Sequence, residues 1–167
     1  MANLKNNIAD NVLQMRDVTI THLNDSEHIV LKEVNWEVKS GDYWAIGGLH
    51  GSGKTNFLFA AAGVLPPVAG SLRVFGSELT AGYEHQKMAP RLRIGTIFDG
   101  GRLLHHLSVA ENIALPLRYH FHRPLEEVIL RVEALLEFVD MRDRGAALPM
   151  ALSRNWQQRV GLARALV

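Results

Sequence analysis

Gly48-Leu49-His50-Gly51-Ser52-Gly53-Lys54-Thr55 satisfies the pattern G-x-x-x-x-G-K-[ST] at every fixed position. Gly48, Gly51 and Gly53 carry no Cβ, so the backbone can turn through conformations closed to other residues and aim successive N–H groups at one anion. Lys54 is long enough to reach terminal phosphates as a mobile point charge, and Thr55 offers a hydroxyl to Mg²⁺. A helix opening near Lys54 turns the positive end of its dipole to the same place. Gly48 through Asn56 is therefore read as a nucleoside-triphosphate site, with Leu49, His50 and Ser52 as its variable lining.

Such a loop needs a strand before it and a helix after it. Tyr43-Trp44-Ala45-Ile46, behind the turn pair Gly41-Asp42, has the composition of a short buried strand. Asn56 to Val64 reads as a helix that stops before Pro66-Pro67.

The 167 residues are enough for one domain, or one and a small appendage. A net charge of +1 without blocks of like charge gives no electrostatic support for a nucleic-acid or polybasic membrane role. With no cysteine there are no disulfides or thiolate metal sites, a composition compatible with a reducing cytosol. The polar start Met1 to Asn7 lacks the apolar core of a signal peptide, and no run approaches about 18 apolar residues.

Taken in order, Val12–Thr21 and Ile29–Val38 read as an antiparallel hairpin around the turn-rich Asn24-Asp25-Ser26-Glu27. Leu31, Val34, Trp36 and Val38 include an alternation with Asn35 and Glu37 that marks one wet face. Ser71–Phe75 and Arg93–Phe98 read as further strands, the second running into the loop Asp99 to Arg102. Ser108-Val109-Ala110-Glu111 is a capping box opening a short helix that Pro116 ends. Pro124 suits the first position of the next helix, whose apolar stripe is Leu125, Val128, Ile129, Val132, Leu135, Leu136 and Val139. Ser153 is a good N-cap for a last helix with Trp156, Val160, Ala163 and Val167 on one face. Trp36 and Trp44 read as core. His105-His106 and His120-Phe121-His122 lack zinc-ligand spacing and read as surface.

In this order the residues resemble the nucleotide-binding subunit of an ATP-binding-cassette (ABC) transporter. Three features carry the likeness: the loop Gly48 to Thr55, Phe98-Asp99 leading to Leu103-Leu104 and Glu111 to Leu117, and Leu152-Ser153 followed by Gln157 to Val160 and Leu162 to Leu166. It covers about Leu13 to Val167. The resemblance implies an α/β, P-loop NTPase fold: a core with an antiparallel β-subdomain and a small helical subdomain, with the C-terminal part missing. It divides the chain into a nucleotide-binding core at 1–98, a helical subdomain at 99–152 and a serine-led signature helix at 153–167. It further implies ATP and Mg²⁺ as ligands, a second cassette facing this one, and a transmembrane permease driven by closure of the pair, so that the chain sits on the inner face of the cell membrane. Ser153, Arg154, Asn155 and Trp156 would then meet the ATP held by the partner cassette.

The chain departs from the family pattern in four places. Arg154-Asn155 stands where glycines usually follow the serine, removing the close backbone approach to phosphate that glycine permits. Asp99 replaces the usual glutamine, a full charge near the γ-phosphate position that either binds Mg²⁺ together with Thr55 or repels the phosphate. The aromatic that stacks on adenine falls at His22. Finally, the magnesium-associated aspartate, the water-polarising glutamate and the switch histidine lie, in the family, beyond the serine-led helix. The resemblance implies an ATPase, yet these residues carry only the binding half of the site, which leaves hydrolysis open; either the chain is a fragment or it is a degenerate, non-hydrolysing cassette partnered with an active one. The sheet slot left beside Tyr43–Ile46 is expected to leave apolar side chains facing water.

Overall fold

The structure, a computed structural model, describes residues 11–79 and 85–167, so the polar start lies outside the described residues. The chain forms two compact units, one through Ile94 and one from Gly95.

The first unit is built on a four-stranded antiparallel sheet. Its strands are β1 (Asn11–His22), β2 (Asp25–Lys39), β3 (Ala69–Val74) and β4 (Ser77–Glu78), in the order β2-β1-β3-β4. The β1–β2 hairpin is tighter than the sequence suggests: strand pairing reaches His22 opposite Asp25, so Leu23-Asn24 alone makes the turn. The alternation on β2 is borne out, with Val34, Trp36 and Val38 half-buried and Asn35 and Glu37 exposed. Between Met15 and Val18 the register shifts, and Asp17 takes a left-handed φ of 49°. Asn35 holds this bulge. Its Oδ1 accepts from the Asp17 N–H at 3.0 Å while its Nδ2 donates to the Asp17 carboxylate at 3.0 Å. Gly70, with φ 81°, lies against the bulge where a Cβ would fall on the Arg16 and Asp17 carbonyls. Met15, Val18 and Ile20 then face a core closed by Ala60 and Ala61 of α1 (Lys54–Ala61) and by Leu65, Leu72 and Val74. Each such large side chain removed from water contributes roughly 1.5–3 kcal/mol. A further helix, α2, spans His85–Arg91.

Two expected strands do not form. Tyr43–Ile46 has no ladder partner among the described residues; Tyr43 is 96% exposed, and Trp44 is half-exposed rather than core. Arg93–Phe98 is also irregular, its start spent on turn bonds from Arg93 N–H to the Pro90 carbonyl and from Ile94 N–H to that of Arg91. Apolar composition supplies strand propensity, but the strand itself requires a neighbouring backbone.

The second unit is helical: α3 (Val109–Phe121), α4 (Leu125–Phe138) and α5 (Arg154–Leu166), with single 3₁₀ turns at Arg142–Arg144 and Pro149–Ala151. The capping box is present in full. Ser108 Oγ accepts from Glu111 N–H at 3.2 Å, and the Glu111 carboxylate accepts from the Ser108 N–H and hydroxyl at 2.8 Å each. Pro116 does not end α3. The helix continues past it to a left-handed cap at His122, whose N–H reaches the Leu117 carbonyl, because Ile113 and Ala114 are buried and Leu117 packs on the same core. Pro124 sits one residue earlier than expected, at the N-cap of α4. The α4 stripe is core at Val128, Val132, Leu135, Leu136 and Val139, with Leu125 packed at its edge and Ile129 half-buried. Val160 and Ala163 of α5 complete that core, flanked by Trp156 and Val167.

Asn112 fixes the approach to α3 from inside. Fully buried, it accepts from Leu104 N–H at 2.8 Å and donates to the carbonyls of Leu104, Leu107 and Ser108 at 3.0 Å. Asn112→Ala takes the side-chain partner from the Leu104 N–H and the Leu107 carbonyl and is expected to lower stability by about 2–4 kcal/mol in chemical denaturation.

The two hydrogen bonds from Ser108 hold the Glu111 carboxyl below its ordinary pKa. A depressed carboxylate contributes stability that is complete above the unfolded-state pKa and is lost as pH falls through the folded-state value. Denaturation midpoints are therefore expected to fall between about pH 6 and pH 3, with a shallower fall in Glu111→Gln.

Candidate functional site

In the first unit the residues after Gly47 form a tight loop leading into α1. Gly51 and Gly53 adopt left-handed φ values of 77° and 87°, and Gly53 is the helix N-cap. A Cβ on Gly53 would stand 2.5 Å from Val30 Cγ1, so the loop lies directly on β2. Inside it, the Lys54 ammonium donates to the carbonyls of Gly48 at 2.9 Å and Leu49 at 2.6 Å, and reaches Ser52 Oγ at 3.5 Å. Ser52 N–H closes the turn on the Leu49 carbonyl at 3.2 Å. No side chain caps the first amides of α1, an arrangement suited to an anion.

The other expected residues divide around this loop. Leu49, His50 and Thr55 are exposed. Asn56 is turned inward, its Nδ2 donating to the Thr21 carbonyl at 3.1 Å, which brings the end of β1 to the first turn of α1. His22 follows Thr21; its Nδ1 accepts from Asn24 N–H at 3.3 Å and its ring meets His28 edge to face at 6.2 Å. On the other side of the loop, Lys54 and Ser52 border a cleft of about 440 Å³ walled by Trp36, Trp44, Ile46 and Phe57, and His22 is not part of that wall.

In the second unit the expected residues gather at the N-terminus of α5. Ser153 is its N-cap, although the hydroxyl makes no capping bond. Arg154 forms an ion pair with Asp99 across 55 positions of sequence. Asn155 is exposed, whereas Trp156 is half-buried against the core with the Arg159 and Arg144 guanidinium groups 4.6 and 4.9 Å from its ring. Thr55 and Asp99 belong to different units. Among the described residues no cluster of three or more His, Asp or Glu side chains is arranged to hold a metal ion.

Several residues outside the expected set position this face. Gln157 donates to the carbonyls of Pro149 at 2.9 Å and Leu152 at 3.1 Å, tying the preceding 3₁₀ turn to α5. Arg164 donates to the Gly101 carbonyl at 2.6 Å and the Arg102 carbonyl at 3.1 Å; burial draws its pKa down from the usual guanidinium value. Gly101, with φ 72°, meets the helix backbone so closely that a Cβ there would fall on the Gln157 carbonyl. On the other side, a Cβ on Gly161 would stand 2.8 Å from Gly101 Cα. The paired glycines are visible in the sequence, but only the fold brings them together.

A glycine-rich loop with an ammonium at its centre, opening a helix from an antiparallel β-subdomain, defines a phosphate-loop nucleotide-binding fold. Residues 31–167 match the ABC transporter family, and the chain belongs to it. It is 34% identical over 152 residues to the methionine import ATP-binding protein of Carboxydothermus hydrogenoformans, covering 91% of this chain and 45% of that protein. It is 36% identical over 155 residues to the corresponding protein of Brucella abortus, covering 93% and 41%. The chain thus spans less than half the length of these relatives. Its fold superposes with a TM-score of 0.82 on a dimeric post-hydrolysis structure of an ATP-binding cassette bound to ADP and Pi, at 28% identity, covering 92% of this chain and 68% of that one. The fold is the P-loop NTPase cassette, α/β, with an antiparallel β-subdomain and a helical subdomain. No described helix is long and apolar enough to cross a membrane.

Gly101→Ala combines a left-handed backbone with a clash on Gln157. It is expected to cost about 2–5 kcal/mol, read as a lower denaturation midpoint, whereas Gly76→Ala, in an open turn, costs less.

Proposed function

We propose that this chain is the ATP-binding part of an ABC importer, holding MgATP at Gly48–Asn56 and passing cassette closure to a transmembrane permease. The observation that carries this reading is the Lys54 ammonium held at the loop carbonyls of Gly48 and Leu49, beside helix amides that no side chain caps. A polyphosphate supplies the missing acceptor to those amides and draws Lys54 from the carbonyls toward its own oxygens. Thr55 is the loop residue whose exposed hydroxyl would serve Mg²⁺. His22, at the strand end that Asn56 ties to α1, offers a ring face for the base.

The importers among the relatives and the paired cassettes of the superposed structure support an inward direction and a second cassette meeting Ser153–Trp156. On this reading the chain works at the inner face of a membrane through its permease. The cargo belongs to the permease. A second reading, a non-hydrolysing regulatory cassette paired with an active one, is favoured by the capture of Arg154 by Asp99 at the face meant for nucleotide.

Titration with a fluorescent ATP analogue and Mg²⁺ tests the site. Lys54→Ala is expected to lose at least about tenfold in affinity, ~1.4 kcal/mol, with an unchanged circular dichroism spectrum; equal binding overturns the assignment. Phosphate release by the full-length protein decides between the two readings.

A further inference from the structure

The outward face of α4 breaks two local rules at once. Leu130, Ala134 and Phe138 recur at four-residue spacing on the side opposite the stripe buried against α3 and α5, and Leu130 and Phe138 are 77% and 69% exposed. A surface helix ordinarily keeps that side polar. Glu137 stands in the last turn with no basic residue beside it, and a carboxylate there opposes the helix dipole. Neither feature helps α4 to stay folded, and breaches of this kind collect at functional surfaces.

The charges around this apolar strip have one sign. At 3.6 residues per turn Glu126, Glu133 and Glu137 fall along one border of it. Glu126 and Glu133 make no ion pair among the described residues, and Glu137 is held by the exposed Arg142 at 3.5 Å. The nearby cations are spent elsewhere: Arg131 donates to the Leu166 carbonyl at 2.8 Å, and Arg123 pairs with Glu127 at 3.0 Å. An apolar row bordered by carboxylates is complementary to a helix that carries lysine or arginine beside an apolar row of its own. The same carboxylates repel an anionic bilayer surface. Setting α4 against the α4 of a second copy would bring like charges together.

We propose that this face of α4 docks a basic amphipathic helix of a partner protein, with Leu130, Ala134 and Phe138 taking its apolar anchors and Glu126, Glu133 and Glu137 its lysines or arginines. Leu130 to Phe138 rise about 12 Å along the helix axis, so the contact is small and transient, with a Kd in the micromolar range. The surface faces away from α5, and the proposal is independent of the nucleotide reading.

Fluorescence anisotropy of a labelled leucine–lysine peptide, as long as α4 and with leucines at three- and four-residue spacing, tests it on the full chain. The peptide is expected to bind, and a leucine–glutamate peptide of the same pattern is not. Leu130→Gln, Phe138→Gln and Glu133→Lys are each expected to weaken binding about tenfold. Because these side chains are exposed, the denaturation midpoint stays where it was. Val68→Gln, at an exposed apolar residue of the first unit, leaves binding unchanged. Sodium chloride is expected to weaken binding to the parent chain more steeply than to Glu133→Gln. Undiminished binding in both Leu130→Gln and Glu133→Lys overturns the docking surface. So does dimerisation of the chain, or its sedimentation with phosphatidylserine vesicles, if Leu130→Gln abolishes it, since each names a different occupant.

Discussion

The Lys54 ammonium is the constraint from which the first unit follows. A cation enclosed by a turn needs acceptors within reach, and the carbonyls of Gly48 and Leu49 supply them. They converge because Gly51 and Gly53 take backbone angles that side-chain-bearing residues rarely adopt, and because Gly53 leaves room for Val30 of β2. The hairpin therefore has to be in place for the loop to have its shape, and the bulge at Asp17 and Asn35 is part of how it is placed.

The second unit solves a different problem, holding an irregular loop against a helix without a sheet to support it. Backbone meets backbone at Gly101 and Gly161, and the carbonyls left over are taken by Arg164. Asn112 does the same for the run from Leu104 to Ser108. In both places one side chain, Asn112 fully buried and Arg164 half-buried, satisfies several main-chain groups.

Local signals were legible in the sequence. The glycine turn into α1, the capping box at Ser108 and Glu111, the alternation on β2 and the stripe on α4 each depend on residues a few positions apart, and each is present. What failed depends on distant partners. Tyr43–Ile46 and Arg93–Phe98 have strand composition but lack ladders among the described residues. Local rules predict a helix end at Pro116, but tertiary packing carries the helix through it. Asp99 and Arg154 each depart from the family pattern in the sequence, while their pairing spans 55 positions and follows only from the fold.

The central claim is that the amides of Gly51 to Thr55 and the Lys54 ammonium act together on one polyphosphate. Two-dimensional ¹H–¹⁵N spectra of the chain, recorded as MgATP is added, test it most directly. The account predicts large, saturable shifts at those amides. Loop amides that stay in place while MgATP saturates elsewhere would contradict it.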